Sequence, residues 1–484
     1  MPGYYVENFG CRATQADGAA LERQFEERGL TRADAPTDAE VVVLNTCTVT
    51  AAADADARAA IRRVRRLNPE AEIVVTGCYA QRAPEEVAAL PGVSFVVGNS
   101  HKHTLAEIVL REQTHSRSAG AFVPLESLAA NGQGPTESQR PDTASEIFVS
   151  DIFAHTELLA APVFDAGEAD GNQRTRPNLK VQDGCDNRCS FCVIPYVRGQ
   201  SRSLRLDRII DEVNTLVASG YREVVISGIN LGRWGRDFGL QTSDHTLEYL
   251  IRTILRETSL EKLRISSVEP MDWSDDLIAL VASSPRIARH AHVPMQSGSD
   301  AVLRRMHRKY RPWHYCEKIT KIRAAMPTAA IGADVMVGFP GETDAEFAET
   351  RRMIEDLPLT YLHVFTYSPR PGTPAATMAN HVPVSQARER NRILRELAAE
   401  KKLSFMRGFV GKELEAITLR TSSASSDPAS SDRNVAKSIS TEALTENYLK
   451  LLLKGSHEPN RWLRVGIEDV VDGALVGVPC EAAA

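Results

Sequence analysis

The chain has 484 residues, 43% hydrophobic, 25% charged and 6% aromatic, an ordinary globular composition that excludes a disordered or collagen-like protein. At roughly 100–200 residues per domain, the length predicts two to four domains. With 57 basic and 63 acidic residues the net charge is −6, which excludes a wholly basic nucleic-acid coat but not a local basic face.

Apolar runs such as Val41–Leu44 are far shorter than the ~20 residues of a membrane helix. The N-terminal MPGYYVENFG lacks the basic and apolar regions of a signal peptide. The 8 cysteines are too sparse for a secreted disulfide scaffold. The expectation is a cytoplasmic protein without a membrane partner, whose thiols serve metal or catalysis.

The first hundred residues alternate strand and helix. Tyr4–Val6, Val41–Leu44, Ile73–Val75 and Ser94–Val97 read as strands, and Asp17–Arg28 and Ala51–Leu67 as helices. Such alternation gives βαβ units and a parallel sheet. Residues 1–110 form this α/β domain. Residues 111–170 read as a linker, flexible between His115 and Asp142 where Ser, Gly, Gln and Pro dominate.

Residues 171–404 resume the alternation. Strands are expected at Leu179–Gln182, Glu223–Ser227, Leu263–Ser267, Arg289–Val293, Ile331–Val337 and Leu362–Thr366. Helices are expected at Leu206–Ala218, Thr246–Glu257, Ser274–Ala282, Ala301–Met306, His314–Met326 and Asp344–Ile354. Six β/α units fall short of a closed eightfold barrel, so an incomplete (βα)6 barrel follows, with a charged helix Ser385–Lys402 leading away. In residues 405–484 short strands at Leu414–Leu419, Tyr448–Leu452, Trp462–Ile467 and Ala474–Val478, with a Ser-rich loop at Thr421–Asp432, fit a small all-β barrel or sandwich.

The sharpest chemical signal is Cys185-Asp186-Asn187-Arg188-Cys189-Ser190-Phe191-Cys192, immediately after a strand and Gly184. That places three thiols on a loop at the C-terminal mouth of the barrel, where barrel enzymes build their sites. Structural zinc wants a fourth protein ligand, and this loop holds no fourth Cys or His. Three thiolates suit a four-iron, four-sulfur cluster with one open iron; a zinc knuckle completed from elsewhere is the alternative. Cys11, Cys47 and Cys78 each follow a strand of the first domain. Parallel strands bring their C-terminal ends to one edge, so these thiols can converge on a second cluster, again with an open iron. Three small core residues would be the alternative. Cys316 and Cys480 fit neither group and read as structural.

The Cys-x3-Cys-x2-Cys loop with an aromatic before the last Cys resembles the radical S-adenosylmethionine (SAM) enzymes. In that family the open iron chelates SAM, whose reductive cleavage yields a 5′-deoxyadenosyl radical. Together with the first-domain cysteines and the C-terminal β domain, nearly the whole chain resembles the methylthiotransferases. Asn45-Thr46-Cys47-Thr48-Val49-Thr50, Gln182-Asp183-Gly184-Cys185 and Ile194-Pro195-Tyr196-Val197-Arg198-Gly199 are most similar to the tRNA N6-threonylcarbamoyladenosine methylthiotransferases. The resemblance implies two [4Fe–4S] clusters held by Cys11, Cys47 and Cys78 and by Cys185, Cys189 and Cys192. It also implies SAM, a tRNA anticodon loop as partner, an electron donor such as flavodoxin or ferredoxin, and a TRAM-like RNA-binding barrel, whose text is similar at Leu444-Thr445-Glu446-Asn447-Tyr448.

Barrel positions carry over in the same way. Phe191 is expected against the SAM adenine, and Gly228, Asn230, Glu269 and Gln296, all just past strand ends, against the rest of the cofactor; turn chemistry is the plain alternative for each. No residue is assigned as a general acid or base, because the cofactors carry the difficult chemistry. His292 reads as a packed core or rim histidine. Arg198, Arg202, Arg305, Arg308 and Lys309 are candidates for gripping tRNA phosphates, against the alternative of a solvated face. The same chemistry on isopentenyladenosine or a ribosomal protein, or a non-catalytic metal-stabilised RNA-binding protein, are the competing functions.

Overall fold

The computed structural model describes residues 3–118, 145–155, 158, 175–239, 245–419 and 440–480. Most of the stretch expected to be flexible and the Ser-rich loop lie outside these residues. The chain divides into two units, residues 1–159 with 196–198, and residues 160–195 with 199–484.

The first unit is built on six strands: β1 (Gly3–Asn8), β2 (Thr31–Arg32), β3 (Val41–Thr46), β4 (Glu72–Gly77), β5 (Val93–Gly98) and β6 (Glu146–Phe148). They form one parallel sheet in the order β2-β1-β3-β4-β5-β6. β3 is buried at every residue and β4 at all but Glu72, around the apolar runs Val41–Leu44 and Ile73–Val75, because both sheet faces are covered. Helix Ala51–Leu67, N-capped by the Thr50 hydroxyl, lays Ala57, Ile61 and Val64 against one face. Helices Arg12–Glu26 and Leu105–Ser118 cover the other with Leu21, Phe25, Leu105 and Val109. The sheet runs past the expected domain end at residue 110, since β6 adds an edge strand from within the supposed linker.

The second unit begins with β7 (Asn178–Asp183), β8 (Arg202–Ser203), β9 (Glu223–Gly228) and β10 (Lys262–Ile265), in the order β10-β9-β7-β8. It continues with β11 (His290–His292), β12 (Ala330–Val337) and β13 (Tyr361–Thr366) in a second sheet. Single bridges, Leu263 to Ile287 and Ser267 to His292, link the two sheets. Apart from the short antiparallel β8, six parallel strands therefore curve into an open barrel, as the sequence predicts. Three of its helices start at hydroxyl caps, Thr246, Ser274 and Thr343. One core of Val, Leu and Ile fills the space between strands and helices.

Helix Val384–Arg407 leads to β14 (Glu413–Thr418), β15 (Ser440–Thr445), β16 (Lys450–Lys454), β17 (Trp462–Val471) and β18 (Ala474–Pro479), a closed barrel. β15 is the strand the sequence does not announce. This barrel docks beside the base of the larger one on Arg264, which is held by an ion pair inside the larger barrel. Arg264, 1% exposed, meets Glu223, 0% exposed, at 2.5 Å. The same guanidinium donates to the Glu446 carbonyl at 3.0 Å and lies over the Tyr448 ring. Replacing Glu223 by Gln strands a buried cation, and we expect a loss of about 3–5 kcal/mol of stability, measured by denaturant unfolding.

Candidate metal and cofactor sites

In the first unit three thiols gather at the C-terminal edge of the sheet. Cys11 caps helix Arg12–Glu26, Cys47 follows β3, and Cys78 opens a short helix directly after β4. β2 and β3 flank β1 on opposite sides, and such a reversal of strand order leaves a crevice where open α/β sheets bind ligands. Burial pushes the Cys47 thiol up to about 11, and neighbouring Cys78 and Cys11 push the same way. Gly10 has φ +99°, and a Cβ there would lie 2.8 Å from Cys47 Sγ; glycine is what lets the backbone pass this thiol.

Polar groups buried around the thiols are matched to negative charge. Lys102 Nζ and Arg198 Nη2 both donate to Asp17 Oδ2, at 3.0 and 2.9 Å. Two cations on one carboxylate leave positive charge over, and it acts on the thiols: Arg198 pulls Cys47 down against its burial. Asn99, just beyond β5, donates to Cys78 Sγ at 3.6 Å. This is the second layer that a cluster needs: donors to sulfur and compensation for the charge its thiolates bring.

In the second unit Gly184, φ +71°, turns the chain at the end of β7 where a Cβ would strike the Gln200 carbonyl. Gln182 then fixes the loop. Its amide donates to the Asp183 and Gly184 carbonyls and to Ser201 Oγ, each at 2.9 Å, and its carbonyl accepts the Asn230 N–H at 2.7 Å. Cys185, Cys189 and Cys192 sit on the turn that follows, where the Cys192 N–H reaches the Cys189 carbonyl at 3.1 Å. Burial pushes Cys192 up to about 12, with Cys189 and Cys185 adding to it. Burial also raises Cys185. Such thiols release their protons to a metal rather than to water.

Donors address two of these sulfurs: Asn230 Nδ2 at 3.7 Å from Cys185 and Arg308 Nη1 at 3.2 Å from Cys189. Arg308 also pairs with Glu269. Phe191 stands edge-on to Phe339. A crevice lined by Asn187, Cys189, Arg233, Glu269, Arg308 and Tyr310 opens beside the loop. Gln296 holds φ +60° and is half-buried, its N–H bonded to the Asp334 carbonyl. The donor set in each unit, three converging thiols with N–H groups aimed at sulfur, fits an iron–sulfur cluster better than structural zinc, which would want a fourth ligand.

The basic residues divide. Arg308 is 7% exposed and bound to Cys189 and Glu269. Arg198 is 2% exposed on Asp17, and Arg202 is buried. None of these three is a phosphate-gripping surface residue, which corrects the sequence reading. Arg305 is half-buried on Glu346. Lys309 is exposed beside the crevice. Sequence reasoning missed Asn99 and Lys102, though Asn99 follows a strand end as the cysteines do. Arg308→Gln keeps a donor but loses the charge; we expect iron held by the Cys185 loop to be retained roughly 10–100-fold less well, measured by iron titration against a chelator.

The comparisons with known proteins agree with this geometry. A family model described as "Uncharacterized protein family UPF0004" matches residues 3–98, and the Radical SAM superfamily model matches residues 179–354. The chain is 34% identical to the threonylcarbamoyladenosine tRNA methylthiotransferase MtaB of Bacillus subtilis (strain 168), over 93% of this chain and 90% of that one. It is likewise 34% identical to MtaB of Aquifex aeolicus (strain VF5), over 95% and 98%. Among solved structures, the radical SAM methyltransferase TsrM of Kitasatospora setae shares the fold, with a TM-score of 0.54, 16% identity, and coverage of 78% of this chain and 74% of that one. On its relatives along nearly its whole length, the chain belongs to the tRNA methylthiotransferase family of radical SAM enzymes.

Proposed function

We propose that this enzyme adds a 2-methylthio group to N6-threonylcarbamoyladenosine on the 3′ side of the tRNA anticodon. The observation that carries the reading is the pair of three-cysteine groups, one in each unit. In this reading Cys185, Cys189 and Cys192 hold one [4Fe–4S] cluster and Cys11, Cys47 and Cys78 the other. When bound, these clusters and SAM supply the electron, the carbon radical, the sulfur and the methyl group that replacement of an unactivated aromatic C–H requires.

The chain's own residues bind and orient. Phe191 offers a flat apolar face to the SAM adenine. Gly228 keeps space open beside Gln182, which a Cβ would enter. Asn230, Glu269 and Gln296 present polar groups to the rest of the cofactor. Arg308 braces Glu269 and the Cys189 sulfur together, so cofactor and cluster are held through one side chain. The small barrel of residues 405–484 and exposed Lys309 contact RNA. The anticodon loop is single-stranded, so its base can be splayed into the barrel mouth without melting a duplex. Flavodoxin or ferredoxin supplies the electron, in the cytoplasm.

One observation favours a second substrate. A tRNA-2-methylthio-N(6)-dimethylallyladenosine synthase of Novosphingobium aromaticivorans is also 34% identical, over 86% of this chain. The Asn-Thr-Cys-Thr-Val-Thr text around Cys47 is the reason for preferring the threonylcarbamoyl substrate. Mass spectrometry of tRNA nucleosides from cells lacking the protein decides between them. The expected result is loss of the methylthio form of threonylcarbamoyladenosine and accumulation of its precursor. Loss of the methylthio dimethylallyl nucleoside instead overturns the substrate assignment.

A further inference from the structure

Below the mouth of the large barrel lies a group of metal-ligating side chains that the reaction above does not use. His292 on β11, Asp334 on β12 and His363 on β13 come from adjacent parallel strands, and the register sets Asp334 directly opposite His363. One ligand atom from each lies within 4.8 Å of the others, and His292 Nε2 is 3.3 Å from Asp334 Oδ1. The His292 and His363 rings stand 5.6 Å apart.

His292 is the telling member. It is 7% exposed, and its Nε2 has no hydrogen-bond partner. Its other ring nitrogen meets Ser267 Oγ at 2.6 Å, which pins the ring with Nε2 toward Asp334. Leaving a buried polar atom without a hydrogen bond is costly. If Nδ1 carries the proton and donates it to Ser267, the Nε2 lone pair confronts a carboxylate, an arrangement that a cation between them relieves. Fixing one imidazole nitrogen by hydrogen bond so that the other ligates is how proteins orient metal-binding histidines.

We infer that His292, Asp334 and His363 form a binding site for a first-row divalent transition ion inside the barrel. Two imidazoles and one carboxylate suit zinc, iron or manganese rather than calcium or magnesium, which prefer all-oxygen shells. The site is closed on one side and open on the other. His292 is buried, Asp334 intermediate and His363 exposed. His363 borders a cavity of about 320 Å³, also lined by Tyr361, Arg395, Lys402 and Tyr448. An ion held by three protein ligands therefore keeps positions free for water or an oxygen of a bound molecule. The inference is independent of which tRNA nucleoside is the substrate.

Zinc is the probe. The cluster-loaded full-length enzyme is equilibrated with zinc, passed over a chelating resin, and assayed for zinc and iron together, with X-ray absorption at the zinc edge. The wild type is expected to keep about one zinc per chain in a shell of nitrogen and oxygen without sulfur. His363→Ala, which removes an exposed ring, is expected to lose that zinc while its iron content stays unchanged. Ser267→Ala is expected to hold zinc roughly 10–100-fold more weakly. Equal zinc in wild type and His363→Ala, or sulfur in the zinc shell, overturns the assignment; so does a wild type that keeps none, which would leave a plain histidine–carboxylate pair.

Discussion

A buried thiol holds its proton against water and gives it up to a metal. That constraint organises both units. Cys47 and Cys192 are pushed up to about 11 and about 12 by burial first and by their neighbouring thiols second. Without metal these two thiols hold their protons, each in its group of three. With metal each group becomes a set of anions in a low-dielectric environment, and that charge has to be met. Much of the buried polar architecture serves this need. Asp17, Lys102 and Arg198 leave cationic charge in the first unit. In the second, Arg308 shares its charge between Glu269 and the Cys189 sulfur.

The two units reach the same donor set by different routes. In the first, the sheet does the gathering. Cysteines far apart in sequence meet because β1, β3 and β4 are parallel neighbours whose ends share an edge. In the second, a single loop does it, with Gly184 turning the chain and Gln182 tying the loop's base to the segment just past β9 through the Asn230 N–H. The first arrangement depends on strand register, since slipping a strand by one residue turns its side chains to the other face. The second depends on local backbone conformation, and its sequence signature is correspondingly compact.

That difference explains what could be read from sequence. The Cys185–Cys192 loop is local and legible as spacing. Cys11, Cys47 and Cys78 were legible because apolar runs such as Val41–Leu44 mark where each strand ends. The large barrel followed from six strand–helix alternations, and capping residues at Thr246, Ser274 and Thr343 made helix starts sharp. β15 was not legible, because Thr441, Ala443 and Thr445 supply its buried face with small residues rather than an apolar run. The edge strands β2, β6 and β8 are too short to leave a pattern. Arg198 and Arg308 look in sequence like members of solvated basic runs. Their partners, Asp17 and Glu269, lie far away along the chain, and only the folded structure brings each carboxylate to its guanidinium.

The proposed chemistry requires the six cysteines to form two independent three-thiolate sites. Iron and acid-labile sulfide, measured after anaerobic reconstitution of the wild type, Cys47→Ala and Cys189→Ala, tests it most directly. Each variant is predicted to lose about half of both elements, the content of one cluster in two, and the double variant nearly all. A full complement in either single variant, or complete loss in one, would contradict two separate sites.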